Sequence, residues 1–444
     1  MVRPEMAASE SPAGRVDKMG VSANTMQNRR KVNRVLVVFL IGMTITSIYV
    51  LWKSRAAAAL GQGDYSAFYT AGVLFRRGQA AELYDQEAQW KLQQEFASGM
   101  KLRHGPLRYI RPAYEAALFA CFAGWPYPTS LLLWTAFKFL LLIVIPPICV
   151  AGVTGENRIP PWAAGILCLG TFPVFLDFLE GQDTVLLTLL FAVAYRLLEK
   201  NRDGWAGFVL GLGLFKFLLV APFVIILWIS GRRRIALGFV PAAIAALTIS
   251  AAIVGWRGFW QYPAYLLRLN QTPNVSVMAP EFQVNFRGLL TLFVGKSPYP
   301  GSLHWILFPI ALAAIVYAGQ AWRRAGKAAL AEGFGLALTC TILTSYYAYA
   351  YDLSLLTVPL LAMWSRPAEH SLGGPSLGGP WERWLETVGT ALLLCGPLHW
   401  LASVLRAEFL MALPLIAVGV GLALRLHRAA AVRGLEAQAK EVTG

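Results

Sequence analysis

Charge is what this sequence has least of. Asp, Glu, Lys and Arg make up 14% of its 444 residues and apolar residues 57%, whereas soluble domains carry roughly a quarter charged residues. Between Val32 and Leu426 no soluble-looking stretch exceeds about sixty residues, which excludes an ordinary soluble enzyme and indicates one polytopic membrane domain. Cysteine is sparse as well: Cys121, Cys149, Cys168, Cys340 and Cys395 lie in or beside apolar runs without CxxC spacing. Neither a disulfide framework nor a thiolate metal site is indicated. The five histidines are dispersed. A P-loop, a GxSxG elbow, a metal-ligand helix and an isolated DxD carboxylate pair are all missing, which disfavours an enzyme that chelates a nucleotide sugar through such a pair. Acidic charge is the scarcer sign, leaving a net +15. The surplus Lys and Arg sit in short clusters between apolar runs, the pattern of positive-inside anchoring, so no nucleic-acid partner is expected.

About twenty apolar residues cross a bilayer core as helix, and Lys and Arg mark the cytoplasmic ends. Residues 1–31 read as a disordered cytoplasmic tail, with the basic run "NRRKVNR" at 28–34 marking its junction with residues 32–426, which read as a single transmembrane domain. The first apolar run, Val32 to Trp52, is longer than a signal core of roughly 7–15 residues and reads as a retained anchor, although "RAAAAL" follows it. Residues 53–112 form a first extracytoplasmic loop. It carries nine Lys or Arg against five Asp or Glu, tolerable because the charge rule weakens as loops approach about sixty residues. Within it Tyr65–Arg77 and Ala80–Ala97 read as amphipathic helices suited to the membrane interface.

"AYEAALFACFAGWPYP" reads as a re-entrant or interfacial piece and residues 129–150 as a crossing, returning inside near Arg158. Residues 162–178 lead out to a turn at "EGQD", and 184–198 lead back. Residues 205–230, interrupted by Lys216 and flanked by "KNR" and "RRR", read as a hairpin of two short helices. Crossings at 235–254, 304–321, 329–344 and 353–364 follow, with an outer loop at 255–303. "SLGGPSLGGP" falls in a cytoplasmic linker, 365–384, and a last helical pair leads to a cytoplasmic tail, 427–444. The expected architecture is an all-α polytopic membrane protein of about ten to twelve membrane helices. Its polar, aromatic-rich motifs all fall on the outer side.

Those motifs contain Asp64, Arg111, Glu115, Glu180 to Asp183 with Gln182 between, Asn285, Arg287, Tyr351 and Asp352. Ionisable groups beside a membrane domain's apolar body are costly, so inward-facing ones line a cavity. A desolvated carboxylate such as Asp64 can take a proton from an alcohol. Asp64 also precedes a helix, where Asp is a favoured N-cap, and capping does not exclude catalysis. Arg111 and Arg287 can grip a phosphate through paired, charge-assisted hydrogen bonds, although Arg111 equally suits an anchor at lipid phosphates. "EGQD" also reads as a solvated turn. Tyr346, Tyr347, Tyr349 and Tyr351 can stack on a sugar or form an interfacial aromatic belt. Lys216 reads as a snorkelling lysine. No cofactor or dedicated metal cage is expected, with oxygen ligation by Asp64 and Asp352 or Glu115 left open.

"GDYSAFYTAGVLFRRGQAAELYD", "RPAYEAALFACFAGWPYPTSLLLW", "EGQDTVLLTLLFAVAYRLLEKNRDGWAGFVLGLGLFKF", "NFRGLL" and "YAYDLSLL" occur in that order between about residues 60 and 365. Together they resemble glycosyltransferase family 87, whose members include polyprenyl-phosphate-mannose-dependent alpha-1,2-mannosyltransferases of actinobacteria. The resemblance implies a GT-C type fold, an extracytoplasmic active site, a polyprenyl-phosphate-sugar donor and an inverting mechanism. It implies that Asp64 is the general base and that Asn285 and Arg287 lie near the donor phosphate, and it matches Tyr351 and Asp352 to the family's late Tyr-Asp pair. The chain departs from relatives in three places. Ser345, Tyr346 and Tyr347 stand for Ser-Pro-His, Arg111, Pro112 and Ala113 stand for Tyr-Pro-Pro, and Phe217 rather than Pro follows Lys216. The sugar and acceptor therefore stay open.

The function expected is transfer of one sugar, mannose-like, from a polyprenyl phosphate to an outward-facing lipid or glycan hydroxyl at a bacterial inner or plasma membrane. Arg111, Glu115, Gln182, Asn285, Arg287, Tyr347, Tyr351 and Asp352 are the expected substrate contacts. The alternative is a transporter or flippase for a lipid-linked substrate, which predicts inverted repeats and helices broken at mid-membrane. A noncatalytic assembly partner would leave the outer carboxylates without a shared cavity.

Overall fold

Away from water a backbone satisfies its amides internally, so apolar runs of this length become helices. The computed structural model describes residues 12–97, 106–150, 160–271, 280–294, 304–365 and 380–443. The expected return near Arg158 and nearly all of "SLGGPSLGGP" lie outside the described residues. Helix is the regular structure of the described residues, with a single isolated bridge, Gln283 to Tyr349, as their extended pairing.

The first long helix, α1 (Pro12–Ala59), runs through part of the expected disordered tail into the first apolar run. Next come α2 (Tyr65–Arg76), α3 (Gln86–Phe96), α4 (Tyr114–Ala120) and α5 (Tyr127–Val150). Then α6 (Pro161–Cys168) and α7 (Phe172–Glu180) form a pair bent by 69°, followed by α8 (Thr184–Glu199). Residues 205–230 form the expected pair of short helices, α9 (Asp203–Leu212) and α10 (Phe217–Ile229), bent by 68° at a short 3-10 turn that holds Lys216. Arg232 beyond the second pairs with Asp203 at the start of the first, so the two flanking basic clusters lie together. After α11 (Ile235–Gln271) and the short α12 (Phe286–Leu289) and α13 (Thr291–Val294) come α14 (His304–Ala325) and α15 (Leu330–Thr344). A 3-10 segment, Ala350–Leu356, enters α16 (Thr357–Ser365). The chain ends with α17 (Pro380–Leu394), α18 (Gly396–Val404) and α19 (Ala412–Thr443), which carries the expected tail as helix.

Among the described residues six helices are long and apolar enough to cross a membrane, or up to nine if each bent pair counts once. The lower count than expected follows from length: α8 has 16 residues and α16 nine, short of the roughly 17–25 that span a bilayer unaided. Burial separates wall from centre. The most apolar window of α15 is 83% buried and that of α1 17%, so α15 is the central helix. Exposed apolar side chains such as Val35, Leu133, Leu247 and Trp305 suit a lipid-facing wall.

Two local features place the elements. Gly255, with φ 71° and ψ 166°, breaks α11 beside the expected end at Val254. Ahead of that break α11 lies so close to α9 that a Cβ on Gly238 would sit 1.8 Å from the Gly204 carbonyl oxygen, the close approach that small residues permit between membrane helices.

Helix α2 differs from its expected one-sided amphipathic form, because every residue from Tyr65 to Leu74 is buried. It packs with Tyr109, Phe119, Tyr127 and Trp134 in a second hydrophobic cluster. Phe68 stacks on Phe119 with centroids 4.6 Å apart. Aromatic partners from α4 and α5, distant in sequence, cover the face that α2 alone leaves open.

Candidate active site

Asp64 stands immediately before α2 in helical conformation, φ −59° and ψ −18°, and its side chain makes no capping bond to that helix. Gln182 Nε2 instead donates to Asp64 Oδ2 at 2.6 Å. The carboxylate is thus oriented by a residue 118 positions away. Burial is the main influence raising its pKa above the usual carboxylate value, opposed by the Gln182 hydrogen bond and by Arg111 and Lys216.

The "EGQD" turn delivers Gln182. Helix α7 ends at Gly181 in the left-handed region, φ 70° and ψ 30°, where the Gln182 N–H returns to the Asp177 carbonyl at 2.9 Å. A Cβ on Gly181 would lie 2.6 Å from Tyr65 Cβ. We therefore expect Gly181→Ala to cost roughly 1–3 kcal/mol of stability, read as a lowered melting temperature in detergent. An unchanged melting temperature would show that the turn relaxes freely.

The first amides of α8 need acceptors. Asp177 supplies one from α7: its Oδ2 accepts from Thr184 N at 2.8 Å and Val185 N at 3.2 Å. Lys138 Nζ of α5 donates to Asp177 Oδ1 at 2.9 Å and to its carbonyl at 2.8 Å, and both side chains are fully buried. Because Asp177 does the capping, Asp183 makes no cap bond, although it holds the N-cap position. Its carboxylate takes the fork of Arg111 instead, with Nε at 2.9 Å and Nη2 at 3.1 Å. Arg111 Nη2 also donates to Gln182 Oε1 at 3.2 Å.

Lys216 closes the network from the break between α9 and α10. Its Nζ lies 3.0 Å from Asp183 Oδ1 and 2.7 Å from Asp352 Oδ1, and also bonds the Thr184 hydroxyl. At 4% exposure it does not snorkel. Its ammonium is held by carboxylates from two other elements, which overturns the snorkelling reading. Asp352 Oδ2 accepts from Tyr349 N at 3.0 Å. Burial alone would raise the Asp183 pKa, but Arg111 and Lys216 hold it down to about 2. Glu115, also buried and facing Asp183, is pushed well above the carboxylate range by burial and by the neighbouring Asp183 charge. Tyr109 OH donates to Glu115 Oε2 at 3.3 Å. "EGQD" is therefore the centre of a buried charge cluster and not a solvated turn.

Arg111 ends an extended segment without strand partners, so its backbone groups are satisfied by side chains. Gln89 and Gln93 of α3 accept from Tyr109 N and Leu107 N, each at 3.0 Å. The hydroxyls of Tyr265, Tyr262 and Tyr84 donate to the carbonyls of Tyr109, Ile110 and Arg111 at 3.0 to 3.1 Å. Three elements thus fix where the Arg111 fork points.

A second group is built on residues 283–290 and 345–351. Val284 N donates to the Ala348 carbonyl at 2.9 Å. Asn285 caps α12, accepting from Gly288 N at 2.8 Å, and its Nδ2 donates to the Ser345 carbonyl at 2.8 Å. Arg287 is 4% exposed, with its guanidinium 4.3 Å from the Tyr346 ring centroid and 5.3 Å from that of Tyr347. The Tyr349 and Tyr351 rings lie 5.6 Å apart. Lys216 Nζ sits 4.8 Å over Tyr351. Tyr349 links the two groups: burial raises its pKa, Arg287 opposes that, and Asp64 adds to it.

The model of glycosyltransferase family 87 matches residues 109–349, more than half of the chain. The chain belongs to glycosyltransferase family 87. No curated protein and no solved structure matches it. The family 87 match contains Arg111, Glu115, Gln182, Asn285, Arg287 and Tyr347, whereas Asp64 precedes it and Tyr351 and Asp352 follow it.

The fold of this family 87 chain brings Asp64, Arg111, Glu115, Gln182, Tyr351 and Asp352 into one cluster, with Asn285, Arg287 and Tyr347 beside it. Several expected substrate contacts are occupied internally: Asn285 at both ends of its amide, Arg111 by Asp183 and Gln182, Asp352 by Lys216. Sequence reading passed over Lys138, Asp177 and Thr184. A signal existed for the first two, since an isolated charge inside an apolar run needs a buried partner. Among the described residues no group of three or more His, Cys, Asp or Glu side chains is placed to hold a metal ion.

Proposed function

We propose that this membrane glycosyltransferase moves one sugar from a polyprenyl phosphate to a hydroxyl of a lipid or glycan on the extracytoplasmic side. The observation that carries the reading is the state of Asp64. Its Oδ2 is fixed by Gln182 and its Oδ1 takes no hydrogen bond from the described residues, so one oxygen is left for an acceptor hydroxyl. Asp64 removes the hydroxyl proton as the acceptor oxygen bonds to the anomeric carbon and the bond from that carbon to the donor phosphate breaks. Attack opposite the leaving phosphate inverts the anomeric configuration. Arg287, braced on Tyr346 and Tyr347, is the cation for the leaving phosphate, and the neighbouring tyrosines offer faces for the sugar.

The charge distribution supports an outward-facing site. Helix α8 starts in the cluster and ends at Lys200, and Asn201 Oδ1 accepts from Lys327 Nζ at 2.9 Å. Arg232 pairs with Asp203 at 2.9 Å at the same end of the bundle. The basic clusters thus meet at the end opposite the site, which the positive-inside rule makes cytoplasmic. Bent helices were the mark of the transporter reading, and three bent pairs occur. Family membership favours transfer over transport.

Reconstituting the full chain with labelled polyprenyl-phosphate sugars, nucleotide sugars and membrane-lipid acceptors tests this. Transfer from a lipid-linked donor with inversion is expected. Turnover with nucleotide sugars alone would sink the proposal. Arg287→Ala should raise the donor KM roughly 10- to 100-fold, the loss of a charge-assisted phosphate contact. An unchanged donor KM would remove Arg287 from that role.

A further inference from the structure

Gln182 was expected to touch substrate, yet both ends of its carboxamide are engaged inside the protein. A carboxamide has one accepting and one donating end, and a guanidinium only donates. Arg111 Nη2 at 3.2 Å therefore fixes Oε1 on its own side and turns Nε2 toward Asp64 Oδ2 at 2.6 Å. Arg111 cannot rotate away, because its fork is held by Asp183 and its carbonyl by Tyr84. Gln182 is 4% exposed and rides on the turn at Gly181. We infer that Gln182 is a positioning residue for the transfer reaction: locked by Arg111, it holds one Asp64 oxygen and presents the other to the acceptor hydroxyl.

This inference rests on the reading of Asp64 as general base and adds how the base is aimed and tuned. A hydrogen bond donated to a carboxylate favours its ionised form, and here it opposes the raising effect of burial. The other charged and titratable groups that act on Asp64 come from each neighbouring element: Arg111, Asp183, Lys216, and the phenols of Tyr127, Tyr349 and Tyr351. Gln182 differs from them in touching the carboxylate directly. Removing its donor should make Asp64 harder to ionise and free it to turn.

The test is the pH profile of kcat and the KM values of the full-length enzyme in nanodiscs, with whichever polyprenyl-phosphate sugar supports turnover. Gln182→Met keeps length and removes both polar ends. It should move the acid limb of kcat upward by about one to two pH units, the scale of a hydrogen bond to a charged group, with the donor KM within about twofold. Gln182→Glu keeps shape and places a carboxyl beside Asp64, and it should move the limb in the same direction. It reads the same quantity if the Met variant does not insert. A wild-type limb and kcat in the variant that inserts overturns the inference. So does an unmoved limb with a raised donor or acceptor KM, which makes Gln182 a substrate contact. Asp64→Asn keeps the two failures apart: full activity there removes the base itself, whereas an inactive Asp64→Asn with an unmoved Gln182→Met limb removes only the positioning role.

Discussion

Asp64→Asn is expected to leave insertion and melting temperature unchanged and to lower kcat by roughly a hundred- to ten-thousand-fold, the range lost with a general base. The amide keeps the shape and can still accept from Gln182 Nε2, so the surrounding bonds survive. It cannot accept the acceptor's proton. The proposed role of Asp64 also predicts a pH dependence for the unaltered enzyme. Burial raises the Asp64 pKa above its ordinary value, and only the deprotonated carboxylate acts as base. Turnover therefore falls as pH drops through that raised value and is restored above it. Asp183, held at about 2, stays ionised across the same window and adds no limb of its own. Initial rates against pH, with a coupled measurement of donor binding, check both statements. Full transfer by Asp64→Asn would move the search for the base to another residue.

Lys138→Met has the largest expected effect on stability. It strands the fully buried Asp177 carboxylate, and breaking a buried ion pair costs roughly 3–5 kcal/mol. The damage reaches the site because the same carboxylate caps α8 through Thr184 and Val185 and so leaves Asp183 to Arg111 and Lys216. Charge and capping can be separated. Adding Asp177→Asn to Lys138→Met removes the stranded charge and keeps a side-chain oxygen for the two amides, so it should recover most of the lost melting temperature. Adding Asp177→Leu should recover less, since it leaves the amides without an acceptor. Equal melting temperatures for the two double variants would refute the capping role. An unchanged melting temperature in Lys138→Met alone would refute the ion pair's role.

Much of this molecule was legible along the chain. Length and hydropathy located α5, α8, α14 and α15 within a few residues, because a helix in lipid satisfies its backbone locally whatever surrounds it. The crossing expected to end at Val254 does end beside a break in α11, where Gly255 takes a backbone conformation that side chains disfavour. The ordered motifs gave the family, and the outer loops gave most members of the cluster. Burial of α2 was not legible, since the aromatic side chains that cover it come from α4 and α5.

Which charge meets which was decided only by the tertiary structure. Gln182 reaches Asp64 across 118 residues, Lys216 reaches Asp352 across 136, and Lys138 reaches Asp177 across 39. Sequence by itself determined that these groups sit at or in an apolar body and so need partners. It left Lys216 a snorkelling lysine, and it set a solvated turn beside a site role for "EGQD" and a helix cap beside catalysis for Asp64, each a sound local solution. The packed bundle chose otherwise because a buried charge is stabilised by the ion or dipole beside it in space, and for these residues that neighbour comes from another helix.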